Sequence, residues 1–169
     1  SRSFLLHTGD PRGCPHRADT CSSLVIVAST RFSRAELLDA FAAFEAVVDR
    51  SARSGDWDGW VAHYTPDVDY IEHAAGTMKG REQVRDWIRR TMTTFPGSHM
   101  VAFPSLWHVI DEERGRVVCE LDNPMRDPGD GTVISATNIS IISYAGEGLW
   151  HRQEDVYNPA EGEKVFGAW

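Results

Sequence analysis

The chain has 169 residues, 41% hydrophobic and 25% charged, which is enough apolar material for one domain with a real core. Its 17 Lys and Arg against 25 Asp and Glu give a formal charge of -8, which argues against nucleic acid or an anionic membrane as partner and favours small neutral or cationic ligands. No run approaches the roughly 18 apolar residues of a membrane helix, and the start lacks a charged stretch followed by a long apolar one, so the expectation is a soluble, cytoplasmic protein.

Residues 1–30 carry Gly9, Pro11, Gly13 and Pro15 and hold no sustained period, so they read as a flexible arm ahead of a single domain over 31–169. Cys14, Cys21 and Cys119 are an odd count in a chain of this size, which argues against a disulfide framework. Cys14, His16 and Cys21 fall short of the four ligands of a structural zinc site, with His7 a poor fourth.

Ser33 followed by Glu36 forms a capping box ahead of an apolar stripe of Leu37, Phe41, Phe44 and Val48, which predicts a helix ending at Gly55. Asp56 can cap a short second helix holding Trp57, Trp60, Val61 and Tyr64. Thr65-Pro66-Asp67 breaks it and opens a strand, Val68 to His73. Gly76 and Gly80 bracket a turn into a third helix, Arg81 to about Met92, with Val84, Trp87, Ile88 and Met92 on one face. Four strands follow, over 100–111, 116–125, 133–144 and 149–158, separated by turns at 112–115, 127–131 and 145–148. Helices first and an antiparallel meander after them predict an α+β domain, a curved, mostly antiparallel sheet wrapped around N-terminal helices.

The last strand offers the chemistry. Alternation puts His151, Gln153, Asp155 and Tyr157 on one face and Trp150, Arg152 and Glu154 on the other. In the strand over 116–125, Val118, Glu120 and Asp122 share a face, opposite the more apolar Val117, Cys119, Leu121 and Asn123. Glu120 and Asp122 are either solvent-facing or turned inward. If inward, Asp122 and Asp155 would repel each other in an apolar cavity, which raises one pKa and gives an acid and a base near neutral pH. Over 68–73, Tyr70 and Glu72 alternate with Asp69, Ile71 and His73, and the two faces are almost equally apolar, so Glu72 or His73 faces inward. A metal site built from His73, His108 and His151 would need all three on one face.

The strings Gly55-Asp56-Trp57-Asp58, Tyr64-Thr65-Pro66-Asp67-Val68, Gly80-Arg81-Glu82 with Trp87-Ile88, and Glu154-Asp155-Val156-Tyr157-Asn158, in this order and spacing, resemble the SnoaL-like branch of the nuclear transport factor 2-like superfamily. The resemblance implies a cone-like α+β fold, a deep apolar pocket between sheet and helices, and homodimers formed through the sheet. Compared with ketosteroid isomerase, Glu72 stands at the general base, with His73 one residue away, and Val48 stands where that family has its oxyanion Tyr. Compared with limonene epoxide hydrolase, Asp122 matches the acid that protonates the epoxide, Asp155 the acid that activates water, and Tyr70 the water-orienting Tyr; Glu72 replaces an Asn and Glu120 the bridging Arg. The expectation is a cofactor-independent enzyme that moves protons on a small apolar substrate, with Asp122 and Asp155 as its pair, Glu72 or His73 a further base, Tyr70 an orienting group and Glu120 part of the acid cluster. The other expectation is a non-catalytic module of the same fold that binds a small ligand or dimerises.

Overall fold

The computed structural model describes residues 31–169; the expected arm over 1–30, with Cys14, His16 and Cys21, lies outside them. The elements are α1 (Arg34–Ser54), α2 (Asp58–Val61), β1 (Tyr64–Glu72), β2 (Gly76–Lys79), α3 (Arg81–Thr91), β3 (Ser105–Asp111), β4 (Arg116–Pro124), β5 (Ser135–Gly146), β6 (Leu149–Val156) and α4 (Pro159–Gly167). Among the described residues the strands form one curved six-stranded sheet in the order β2-β1-β6-β5-β4-β3. Every pairing is antiparallel except β1 with β6, which run parallel.

Local signals set the helix ends. Ser33 Oγ accepts from the Glu36 N–H at 3.1 Å, and Gly55, with φ 75°, returns its own N–H to Ser51 O at 2.8 Å. The buried stripe of α1 is Leu37, Ala40, Phe41, Phe44 and Val47, which packs on the inner face of the sheet. Asp58 joins α2 to α3 through Arg89 at 2.8 Å and Arg85 at 3.2 Å.

Four elements differ from the sequence expectation, the first being β1, which starts at Tyr64, a residue expected on the second helix. Residues 76–79 form a strand, because a hairpin with β1 pairs Tyr70 with Met78 and buries Met78. The strand expected from Met100 starts at Ser105, and Met100 makes only an isolated bridge to Met125. Pro159 starts a helix rather than ending the structure: Asn158 Oδ1 caps the Ala160 N–H at 3.1 Å, and proline is well tolerated in a first helical turn.

Phe44 is at the centre of the core, with ring centroids 5.8 Å from both Tyr64 and Trp150. The outer face of the sheet is partly apolar, with Trp107 and Val109 about half exposed. No helix among the described residues is long and apolar enough to cross a membrane. Replacing Phe41, which is 2% exposed, by Ala should cost about 3–5 kcal/mol. The same truncation at Val133, which is 89% exposed, should stay within about 0.5 kcal/mol, as read by urea unfolding of the two variants.

Candidate active site

Apolar alternation decides which side chains reach the interior. On β4 the fully buried Val117 and Cys119 fix the inner phase, so Leu121 and Asn123 line the cavity. Glu120 and Asp122 therefore lie on the opposite face. Glu120 Oε2 accepts from Trp107 Nε1 at 2.5 Å, and Asp122 Oδ1 accepts from the Ser135 hydroxyl. The expected pairing of Asp122 with Asp155 is not assembled, because an inward Asp122 would turn Val117 and Cys119 out to solvent.

On β1 the same rule picks the even positions. Val68, Tyr70 and Glu72 are buried, while His73 is exposed and meets Glu154 Oε1 at 3.2 Å. Arg152, 3.0 Å from Glu154, lies on that outer side too, and it holds the Glu154 carboxyl below its usual value. Of the two alternatives at this turn, Glu72 faces the cavity.

On β6 the phase changes along the strand. Register shifts against β1 and β5 let both Trp150 and Gln153 point inward, which leaves His151 exposed rather than in line with Asp155. His73, His108 and His151 do not converge: no group of three or more metal-ligating side chains is placed to hold an ion among the described residues.

The register then assembles the site. Parallel pairing sets Tyr70 beside Gln153 and Glu72 beside Asp155, and antiparallel pairing sets Ser140 on the other flank of Asp155. Asp155 Oδ1 accepts from Ser140 Oγ at 2.5 Å and Gln153 Nε2 at 3.0 Å, and Oδ2 accepts from the Tyr70 hydroxyl. Tyr64 donates to Gln153 Oε1 at 2.5 Å, which turns the amide nitrogen toward Asp155. On the other side Asn138 donates to Ser140 Oγ at 3.0 Å, and Asn123 to Asn138 Oδ1 at 2.9 Å. The result is a continuous hydrogen-bonded row across β1, β6, β5 and β4.

Gln153, Ser140, Asn138 and Asn123 belong to this row although sequence pattern alone did not single them out. Their signal is a polar side chain in phase with core positions: Asn123 follows Val117, Cys119 and Leu121, and Ser140 precedes Ile142.

Asp155 opens onto a cavity of about 720 Å³ between sheet and helices, walled by aromatic side chains from α1, α2 and α3 and roofed in part by Val165 and Phe166 of α4. Burial raises the Asp155 carboxyl above its usual 3.8, the donors from Ser140, Tyr70 and Gln153 oppose that, and the nearby Glu72 charge adds to it. Burial, reinforced by the Asp155 charge, pushes the Tyr70 and Tyr64 phenols well above 10. Both remain donors at neutral pH. The Cys119 thiol is pushed up to about 12, first by burial, so it stays protonated and is a poor nucleophile. Glu72 is anchored by two backbone donors on Oε2, Ala74 N–H at 3.0 Å and Ala75 N–H at 2.6 Å. A carboxylate has about four acceptor sites, so three donors leave Asp155 one for a ligand.

The model of the SnoaL-like domain family matches residues 35–153. The chain belongs to the SnoaL-like family. Solved structures share its fold at low identity. TerC, co-crystallised with polyporic acid, is 16% identical with a TM-score of 0.61 over 78% of this chain and 98% of that one. A protein with a ketosteroid isomerase-like fold from Catenulispora acidiphila, in complex with trimethylamine, is 20% identical with a TM-score of 0.58, covering 79% and 96%. A limonene-epoxide-hydrolase-like epoxide hydrolase of M. tuberculosis is 15% identical with a TM-score of 0.56, covering 78% and 85%. No curated protein matches the chain.

Removing one donor destabilises the ionised carboxylate, so Ser140→Ala should raise the Asp155 pKa further. Titration of the Asp155 side-chain carbonyl carbon by NMR reads this, and an unchanged midpoint would mean that the Ser140 bond contributes nothing to the anion.

Proposed function

We propose that this SnoaL-like protein is a cofactor-independent enzyme that moves a proton on a small apolar molecule held in the cavity, with Asp155 as the acid–base group. One observation carries the reading: Asp155 is oriented by three donors, is raised in pKa by burial, and keeps one acceptor site at an apolar cavity. A base works best when its pKa lies near the working pH, and burial moves this carboxyl in that direction. Tyr70 and Ser140 hold the carboxyl plane while the remaining site takes a proton from the substrate and returns it elsewhere. Glu72, adjacent in register, is the second carboxylate of the cavity.

The reaction classes consistent with this machinery are isomerisation, dehydration, cyclisation and epoxide opening. Asp122 and Glu120 have no part in it, because they face away from the cavity. Small-molecule binding is supported by the fold neighbours, one with polyporic acid and one with trimethylamine.

For self-association we propose the outer face of the sheet, with Trp107 exposed on its edge strand β3. Trp107→Glu should convert a dimer to a monomer in light scattering, and an unchanged mass would place the interface elsewhere.

With turnover established by mass spectrometry on a panel of epoxides, enones, steroids and phenols, Asp155→Asn should lower kcat by about 10²–10⁴, and Asp122→Asn should leave it near the parent value. The base must be ionised, so activity is lost as pH falls through the Asp155 pKa, and the acid limb of kcat/KM should lie above 3.8. Full turnover by Asp155→Asn overturns the assignment.

A further inference from the structure

The charges on the cavity wall have one sign. Glu72, Asp155 and Glu161 line it, and no Lys, Arg or His does so among the described residues. Glu161 sits at the mouth, exposed and paired with Lys164 at 2.7 Å. Glu72 and Asp155 lie deeper, side by side in register, with no basic side chain against them. Three acids outside the cavity, by contrast, do meet cations. Asp69 meets Lys79 at 2.7 Å, Asp58 meets Arg89 at 2.8 Å, and Glu154 meets Arg152 at 3.0 Å.

The walls add a second feature. Aromatic rings run without a break from Phe103 to Trp57 (5.8 Å between centroids), Trp57 to Trp60 (5.8 Å), Trp60 to Tyr70 (5.9 Å) and Tyr70 to Trp87 (4.9 Å). Ring faces attract cations, Trp most strongly, and the attraction grows as water is excluded. The same wall repels an anion, which would meet two carboxylates and find no positive donor.

We propose that the substrate of this cavity is an apolar organic cation, an ammonium group carried on a hydrocarbon body, with Glu72 as its counter-ion. Glu72 suits the role because its two backbone donors fix it in place, while Asp155 is occupied by the proton-transfer row. A bound cation relieves the repulsion between the two acids and fills the apolar volume around them. The inference rests on the reading of the cavity as the substrate site.

The test compares two molecules of one shape. Benzyltrimethylammonium and neopentylbenzene differ by a charge on one central atom, and phenylacetate supplies the opposite sign. By NMR titration at physiological salt, the cation should bind about tenfold tighter than its neutral isostere, and phenylacetate should not bind. Saturation with the cation should also lower the Asp155 midpoint. Glu72→Gln, whose amide oxygen can still accept from Ala74 and Ala75, should remove most of the difference. Equal binding of cation and isostere overturns the charge preference and leaves the proposed enzyme standing. A preference that persists undiminished in Glu72→Gln overturns Glu72 as counter-ion. Failure of the cation to bind at all overturns the cation proposal, and failure of all three overturns the cavity as substrate site with it.

Discussion

Parallel pairing of β1 with β6 is the constraint on which the remaining geometry depends. It sets Tyr70 opposite Gln153 and Glu72 opposite Asp155, and because paired residues point the same way, all four side chains enter one space. A slip of one residue would turn this set outward and bring Asp69, Ile71 and His73 in. Buried Val68 below and the aromatic contacts of Tyr70 above resist such a slip, so the packing of the core and the chemistry of the site are fixed by the same register.

Two opposing effects meet at Asp155. Removal from water disfavours its charge, and three donors favour it, with burial the larger influence. Folding therefore raises the affinity of this carboxyl for a proton. Its contribution to stability is complete below the unfolded value and is lost as pH rises through the folded one, the reverse of an acid such as Glu154 held by Arg152. Above that folded value the protein carries a destabilised anion in its interior, a pattern that clusters at functional sites.

Local signals were the most legible in the sequence. The Ser33 and Glu36 cap, the left-handed Gly55 and the α1 stripe depend on neighbours within a few residues, and they appear where their spacing puts them. The SnoaL-like strings brought the fold with them, and Asp155, Glu72 and Tyr70 do lie together. The rest depended on phase. Between Glu120 with Asp122 and Leu121 with Asn123, only the burial of Val117 and Cys119 decides, and an interest in paired acids pulls toward the wrong face. The register shifts on β6 break strict alternation between Trp150 and Gln153, and nothing within that strand announces them. Helix α4 was obscured by Pro159, which ends one element and begins another.

The place of β6 in the sheet also bears on how the molecule is made. It lies between β1 and β5, so the β1–β2 hairpin and the β3–β5 meander share no edge until β6 inserts between them. Tyr70 and Asp155 are 85 positions apart in the chain, and closing so long a loop precedes the contacts that reward it. The two halves can gain local structure early, but the hydrogen-bonded row comes into being with this last insertion. Closure of that row on refolding would consequently be a clock for the docking of one strand, slower than the return of helical signal and sensitive to changes in β6 that leave the cavity wall untouched.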